Sequence, residues 1–67
     1  MNVKLNVPEI KKQLAMQGLT NTALAIKVGM SRQNVSTVLK RGTCSGVNAG
    51  KLARALGVDV REIWKED

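Results

Sequence analysis

Histidine, phenylalanine and tyrosine are missing from this 67-residue chain, and cysteine, proline and tryptophan occur once each. Without histidine and with Cys44 alone, no structural zinc site can be assembled, and no Cys–His or Ser–His–Asp catalytic set can form. A single cysteine also excludes an intrachain disulfide, which fits a reducing compartment. Trp64 is the only aromatic residue, so the core has to be aliphatic. No apolar run approaches the roughly 20 residues of a membrane span, and no signal peptide is visible. The expected location is therefore cytoplasmic. Acidic residues are scarce: Glu9, Asp59, Glu62, Glu66 and Asp67 show no paired catalytic spacing, so no enzyme is expected. No cofactor, metal or small-molecule ligand is expected either.

Against those five acids stand 11 Lys and Arg, a net charge of +6. That balance favours an anionic partner: nucleic acid first, then an anionic membrane surface or an acidic protein. A basic helix long and bulky enough for a membrane surface is not evident, since the first helix is short and Gln-rich. The hydrophobic fraction of 43% is ample for a folded core. A chain this short is expected to form one domain, with no room for a separate ligand-sensing domain.

Turn and cap signals divide the sequence into short helices. Residues 1 to 7, MNVKLNV, alternate apolar and polar with period two, which suits either a short extended arm or edge strand, or a terminal tail that lays Leu5 on the core. No partner strand is evident. Pro8 and Glu9 suit the first turn of a helix over about 8–17, with Val7, Ile10 and Leu14 inward and Gly18 as the stop. Thr20 caps a second helix over 21–28. Leu24, Ala25 and Val28 form its apolar stripe, and Gly29 follows where a left-handed residue ends a helix. Ser31 then caps a third helix reaching about residue 40, with Val35, Val38 and Leu39 inward. RGTCSG, with two glycines, reads as a loop. Ser45 caps a fourth helix carrying Ala49, Leu52, Ala53 and Leu56 on one face, and Gly57 ends it. Gly46 and Gly50 weaken it by about 1 kcal/mol each relative to Ala; they mark a close backbone approach or a frayed start. Asp59 caps a last short helix with Val60, Ile63 and Trp64 inward. Trp64 either plugs the core between the first and last helices or lies partly exposed with Ile63 as a dimer contact. Met16 and Met30 read as core fillers.

The run NTALAIKVGMSRQNVSTVLK thus reads as two short amphipathic helices joined by a Gly-Met-Ser turn. The second is apolar on one side and carries Arg, Gln, Asn, Ser and Thr on the other, the side chains that read base edges and phosphates. That is a helix-turn-helix pattern for double-stranded DNA.

The combination Gly18-Leu19-Thr20, Leu24-Ala25, Gly29-Met30-Ser31, Val35-Ser36 and Gly42, followed by LARALGV, resembles the phage repressor and Cro family of helix-turn-helix proteins, also called the XRE family. The similarity covers about residues 8–64. It implies a compact all-α, five-helix, lambda-repressor-like DNA-binding domain over 8–67, with residues 1–7 as an N-terminal arm and the helix-turn-helix at helices 2 and 3. Departures are Asn21 for the commoner Gln, Lys40 for a frequent Glu, and Cys44 for a frequent Pro. The resemblance implies that the third helix enters the major groove near its N-terminus, which makes Ser31, Arg32, Gln33, Ser36 and Thr37 the base-reading candidates. Gln33 suits adenine and Arg32 suits guanine or a phosphate; Ser31 also serves as a cap. Asn21, Thr22, Asn34, Lys40, Arg41, Thr43 and Asn48 are the phosphate candidates, the start of the second helix adding backbone N–H groups. Lys27 fits contact or plain solvation, whereas Lys51, Arg54 and Arg61 read as surface charges.

These readings converge on a transcription regulator, a Cro-like repressor binding operator DNA as a homodimer, encoded by a bacterium or phage. An antitoxin of a toxin–antitoxin pair would use the same fold but needs a surface for its toxin. A protein-interaction adaptor would carry an acidic or apolar outer face on the third helix, and this one is basic.

Overall fold

A computed structural model of the chain describes residues 2–65. Met1 of the arm and the carboxylates Glu66 and Asp67 lie outside the described residues. The element order is β1 (Asn2–Lys4), α1 (Val7–Gln17), α2 (Asn21–Val28), α3 (Arg32–Arg41), β2 (Thr43–Ser45), α4 (Gly46–Leu56) and α5 (Val60–Ile63). The domain is mostly helical, and the two three-residue strands are a minor part of it.

Each helix starts on a side-chain cap and four of them stop on glycine. Asn6 accepts from the Glu9 N–H at 3.3 Å, Thr20 from Ala23 at 3.1 Å, Ser31 from Asn34 at 3.1 Å and Ser45 from Asn48 at 3.1 Å. Asp59 and Glu62 form a reciprocal capping box that starts α5. Such caps satisfy backbone N–H groups that have no partner within the helix, and each contributes about 1 kcal/mol. The hydrogen bonds Asp59 accepts from Arg61 hold its carboxyl below the usual carboxylate range. At the other end of α1, Gln17 donates to the Leu56 carbonyl at 2.6 Å and so ties α1 to the last turn of α4.

The RGTCSG segment, expected as a loop, contains β2, which supplies the N-terminal segment with a partner strand. β1 and β2 pair antiparallel, Val3 opposite Cys44, with Asn2 opposite Ser45 and Lys4 opposite Thr43. Of the readings of residues 1–7, the edge strand forms as β1 and the one that lays Leu5 on the core holds: Val3 and Leu5 are buried beside Cys44, and the segment is not a free arm. The Leu5 N–H donates to the Gly42 carbonyl at 2.8 Å, and Asn6 donates to Ile63 at 2.7 Å. The segment thus stitches the exit of α3 to α5. Gly42 has a φ of 74°, and a Cβ there would meet Val7 at 3.7 Å, so the turn out of α3 relies on a left-handed residue against a packed neighbour.

The core is aliphatic apart from Cys44: Ile10, Leu24, Leu52, Ile63 and Val35 are its largest fully buried side chains, and among the described residues no polar side chain is buried with them. Trp64 is half-buried, bridges to Leu5 and packs against this core, while Ile63 is fully buried. Ile63 therefore offers nothing to an exposed dimer contact. Met30 packs against the core as expected, but Met16 does not: it lies on the outer side of α1 and is 69% exposed. Its position follows from the wheel of α1, whose inward side is taken by Ile10 and Leu14.

Neither Gly46 nor Gly50 brings the backbone close to another element; a Cβ at either would meet open space. Gly50 sits mid-helix and exposed, so it carries a helix-propensity cost with no packing benefit. Gly50→Ala is expected to raise stability by about 1 kcal/mol, seen as a rise of about 4–8 °C in Tm. An unchanged or lowered Tm would mean that α4 needs a glycine at this position. Burial also pushes the Cys44 thiol up in pKa, which disfavours the nucleophilic thiolate. In a thiol-labelling time course with an aromatic disulfide, Cys44 is expected to react at the rate of unfolding, and at the rate of a free thiol only in denaturant.

Candidate nucleic-acid interface

The α2–α3 pair is held by a turn with little freedom. Gly29 has a φ of 80°, a conformation that costs other residues strain. Its N–H and that of Met30 both donate to the Ala25 carbonyl, at 2.9 and 3.0 Å. Ser31 follows in extended conformation and starts α3. Ala25 is buried, and α2 packs against both α3 and α4. On α3, Val35 and Leu39 are buried and Val38 is half-buried. These three anchor one side of the helix, so its opposite side faces solvent in one fixed orientation.

At 100° per residue, Arg32, Ser36, Lys40, Gln33 and Thr37 fall within an arc of roughly 140° opposite the apolar side. All five are exposed, as are Ser31, Asn34 and Arg41. Asn34 and Arg41 lie beyond the Thr37 edge of this arc, on the flank of the helix. The first turns of α2 and α3 meet in an open cleft of about 450 Å³ lined by Asn21, Thr22, Arg32, Gln33 and Ser36. The fold therefore brings two of the phosphate candidates beside three of the base-reading candidates. Ser31 and Thr37 do not line this cleft. The Ser31 hydroxyl accepts from the Asn34 N–H and stays at the helix start.

Of the remaining phosphate candidates, Asn34 is in the first turn of α3 and the other four lie at or past its far end. Lys40 and Arg41 are in its last turn, where cations also suit the helix dipole. Thr43 is half-buried in β2 opposite Lys4, and Asn48 is half-buried in the first turn of α4. α3 is about 15 Å long at 1.5 Å per residue, so these two groups flank its polar side at opposite ends. The two-stranded sheet lies beside the C-terminal end.

Charge is segregated along the chain in a way that a helix-by-helix reading does not bring out. From Ile10 through Val58 there is no carboxylate side chain, while Lys11, Lys12, Lys27, Arg32, Lys40, Arg41, Lys51 and Arg54 all fall within that stretch. The described acids, Glu9, Asp59 and Glu62, belong to the first turn of α1 and to α5 with its cap, two helices that touch. α2, α3 and α4 therefore form a body of uniformly positive sign. That arrangement lacks carboxylates to repel a polyanion. A second open cleft of about 440 Å³ lies within this body, lined by Lys27, Val28, Lys51, Arg54 and Ala55. The acid-free run is the sequence signal that sets Lys51 and Arg54, with the other cations of this stretch, apart from Arg61 beside Asp59.

Among the described residues there is no group of His, Cys, Asp and Glu that could hold a metal ion, and no helix is long and apolar enough to cross a membrane. No curated protein and no solved structure matches the chain. A family model described as winged helix-turn-helix DNA-binding does match, over residues 5–66, which include every described helix and β2. With that match covering nearly the whole chain, and with a capped helix pair presenting a polar, basic helix, the protein belongs to the winged helix-turn-helix DNA-binding family.

Proposed function

We propose that this domain is a sequence-specific regulator that occupies operator DNA with α3 in the major groove, in the manner of a Cro-like repressor. The carrying observation is the cleft in which Asn21 and Thr22 stand beside Arg32, Gln33 and Ser36. Base-edge donors and acceptors and phosphate-binding groups there share one open, uniformly basic face. In this reading Arg32, Gln33, Ser36 and Thr37 contact base edges, with Ser31 at the entry of the helix. Asn21 and Thr22 hold one phosphate together with the N–H groups of α2. Lys40 and Arg41, with Thr43 and Asn48, hold phosphates at and beyond the other end of the helix, and Asn34 holds one on the flank of its first turn. Occupancy alone blocks a polymerase, which favours repression over activation. A dimer on two half-sites about one helical turn apart fits a domain with a single recognition helix.

The phosphate role of Arg41 has its own test. Arg41→Ala is expected to weaken binding to all duplexes alike and to reduce the salt slope of log K by about one unit. A loss confined to one sequence would make Arg41 a base reader.

The function is tested by selecting bound duplexes from a randomised pool at near-physiological salt. An enriched short inverted repeat is the expected result and would supply the operator. A single enriched half-site would remove the homodimer. No enrichment from folded protein would remove the operator-binding reading and turn attention to a protein partner, as for an antitoxin or an adaptor.

A further inference from the structure

The second cleft differs in chemistry from the first. The recognition cleft is lined by polar side chains alone, Asn21, Thr22, Arg32, Gln33 and Ser36. The second has an aliphatic floor, Val28 and Ala55, with Lys27, Lys51 and Arg54 around it. Val28 and Ala55 are partly buried against the core, so the floor is fixed in place. The three cations are exposed, and among the described residues none of them is in an ion pair. The two clefts share no residue. Asn21 and Thr22 open α2, whereas Lys27 and Val28 close it, with Lys27 roughly 140° around the helix from Thr22.

Helix dipoles account for part of this arrangement, because Lys27 and Arg54 lie in the last turns of α2 and α4. They do not account for Lys51, which is mid-helix. Lys51 and Arg54 are also spaced i, i+3, where like charges repel across one turn. Neither α2 nor α4 contains a carboxylate to relieve them. The free domain thus holds three like charges around an apolar floor. A phosphodiester backbone satisfies the charges and leaves the floor uncovered. A carboxylate-rich peptide with an aliphatic side chain satisfies both.

We propose that the cleft between the C-terminal ends of α2 and α4 docks an acidic protein segment: an aliphatic side chain rests on Val28 and Ala55, and carboxylates meet Lys27, Lys51 and Arg54, away from the recognition cleft. Such a domain would hold a protein partner and a duplex at the same time.

The test is fluorescence anisotropy of a fluorescein-labelled Glu-Glu-Leu-Glu-Glu peptide titrated with the full chain, alone and with a saturating mixed-sequence DNA duplex. Binding is expected in both cases with similar affinity. Replacing the peptide's Leu by Gly is expected to weaken binding about tenfold, the order of burying one leucine side chain. The exposed-site variants Lys27→Ala and Lys51→Ala/Arg54→Ala, on two different helices and checked for fold by circular dichroism, are each expected to weaken the peptide about tenfold or more. Duplex binding by the same variants should fall less than it does for Arg41→Ala. Three results would overturn the proposal. One is no binding to the free chain. Another is displacement of the peptide by duplex, which would place it on the DNA face as a generic polyanion. The last is a loss of duplex binding in the variants with peptide binding unchanged, which would make the cleft a phosphate contact.

Discussion

Leu24→Ala is expected to destabilise the domain by about 3 kcal/mol, within the ~2–5 kcal/mol typical of truncating a buried leucine. Leu24 is fully buried on α2, and α2 is the helix that packs against both α3 and α4. The aliphatic core has no large aromatic side chain within it that could move into the vacated space, since Trp64 remains half-buried at the edge. A domain of this length has a total stability of roughly 3–10 kcal/mol, so the variant should lose about a third of it or more, with a Tm lower by about 12–24 °C. Chemical denaturation with circular dichroism reads the loss directly. The same variant separates a folding defect from a contact defect. Duplex binds only the folded form, so saturating duplex should raise the variant's Tm again by mass action. A variant that is as stable as the parent would show that α2 is not held through Leu24, and the rigid presentation of α3 would need another explanation.

The second large effect concerns selectivity rather than stability. Arg32→Ala and Gln33→Ala should each relax discrimination at one base position by about 1–3 kcal/mol, the value of a bidentate side chain–base pair. Both side chains are exposed and line the cleft between α2 and α3, so the fold should be untouched. Competition by operators substituted one base at a time measures this: the parent should reject a substituted site by up to about a hundredfold where the variant accepts it. Binding to unrelated duplex should change little for Gln33→Ala, which removes no charge. Full retention of selectivity by both variants would remove these two residues as readers and leave Ser36 and Thr37 to carry the specificity.

The helices are legible in the amino-acid sequence because their punctuation is local. Thr20, Ser31, Ser45 and Asp59 cap the helices that the sequence pattern assigns to them, and Gly18, Gly29, Gly42 and Gly57 end four of the five. A cap acts over three residues, and so it can be read from three residues. α3 is legible for the same reason, since its apolar positions recur at helical spacing while the intervening ones are polar.

β1 is legible only as a period-two alternation in residues 1–7, and β2 not at all: it is three residues long and flanked by glycines, so it reads as a loop. Their pairing joins positions about forty residues apart, Val3 and Cys44 among them. Cys44 in a Gly-Thr-Cys-Ser-Gly setting carries turn chemistry, yet it is buried in the core with Val3 beside it across the strand pair. Met16 departs from its expected core position for a local reason: at 100° per residue it falls well away from Ile10 and Leu14 on the wheel of α1.

The sequence by itself determined the small helical domain, the positions of its helix ends, the aliphatic character of its core and the basic, polar outward side of α3, because all of these follow from composition and from interactions within one helical turn. Only the tertiary structure decided that the N-terminal segment joins the core, that Asn21 and Thr22 stand beside Arg32, Gln33 and Ser36, and that Lys27, Lys51 and Arg54 meet around one apolar floor. Those juxtapositions depend on how helices pack across the chain. Burial of non-local apolar surface sets that packing, and no local pattern encodes it.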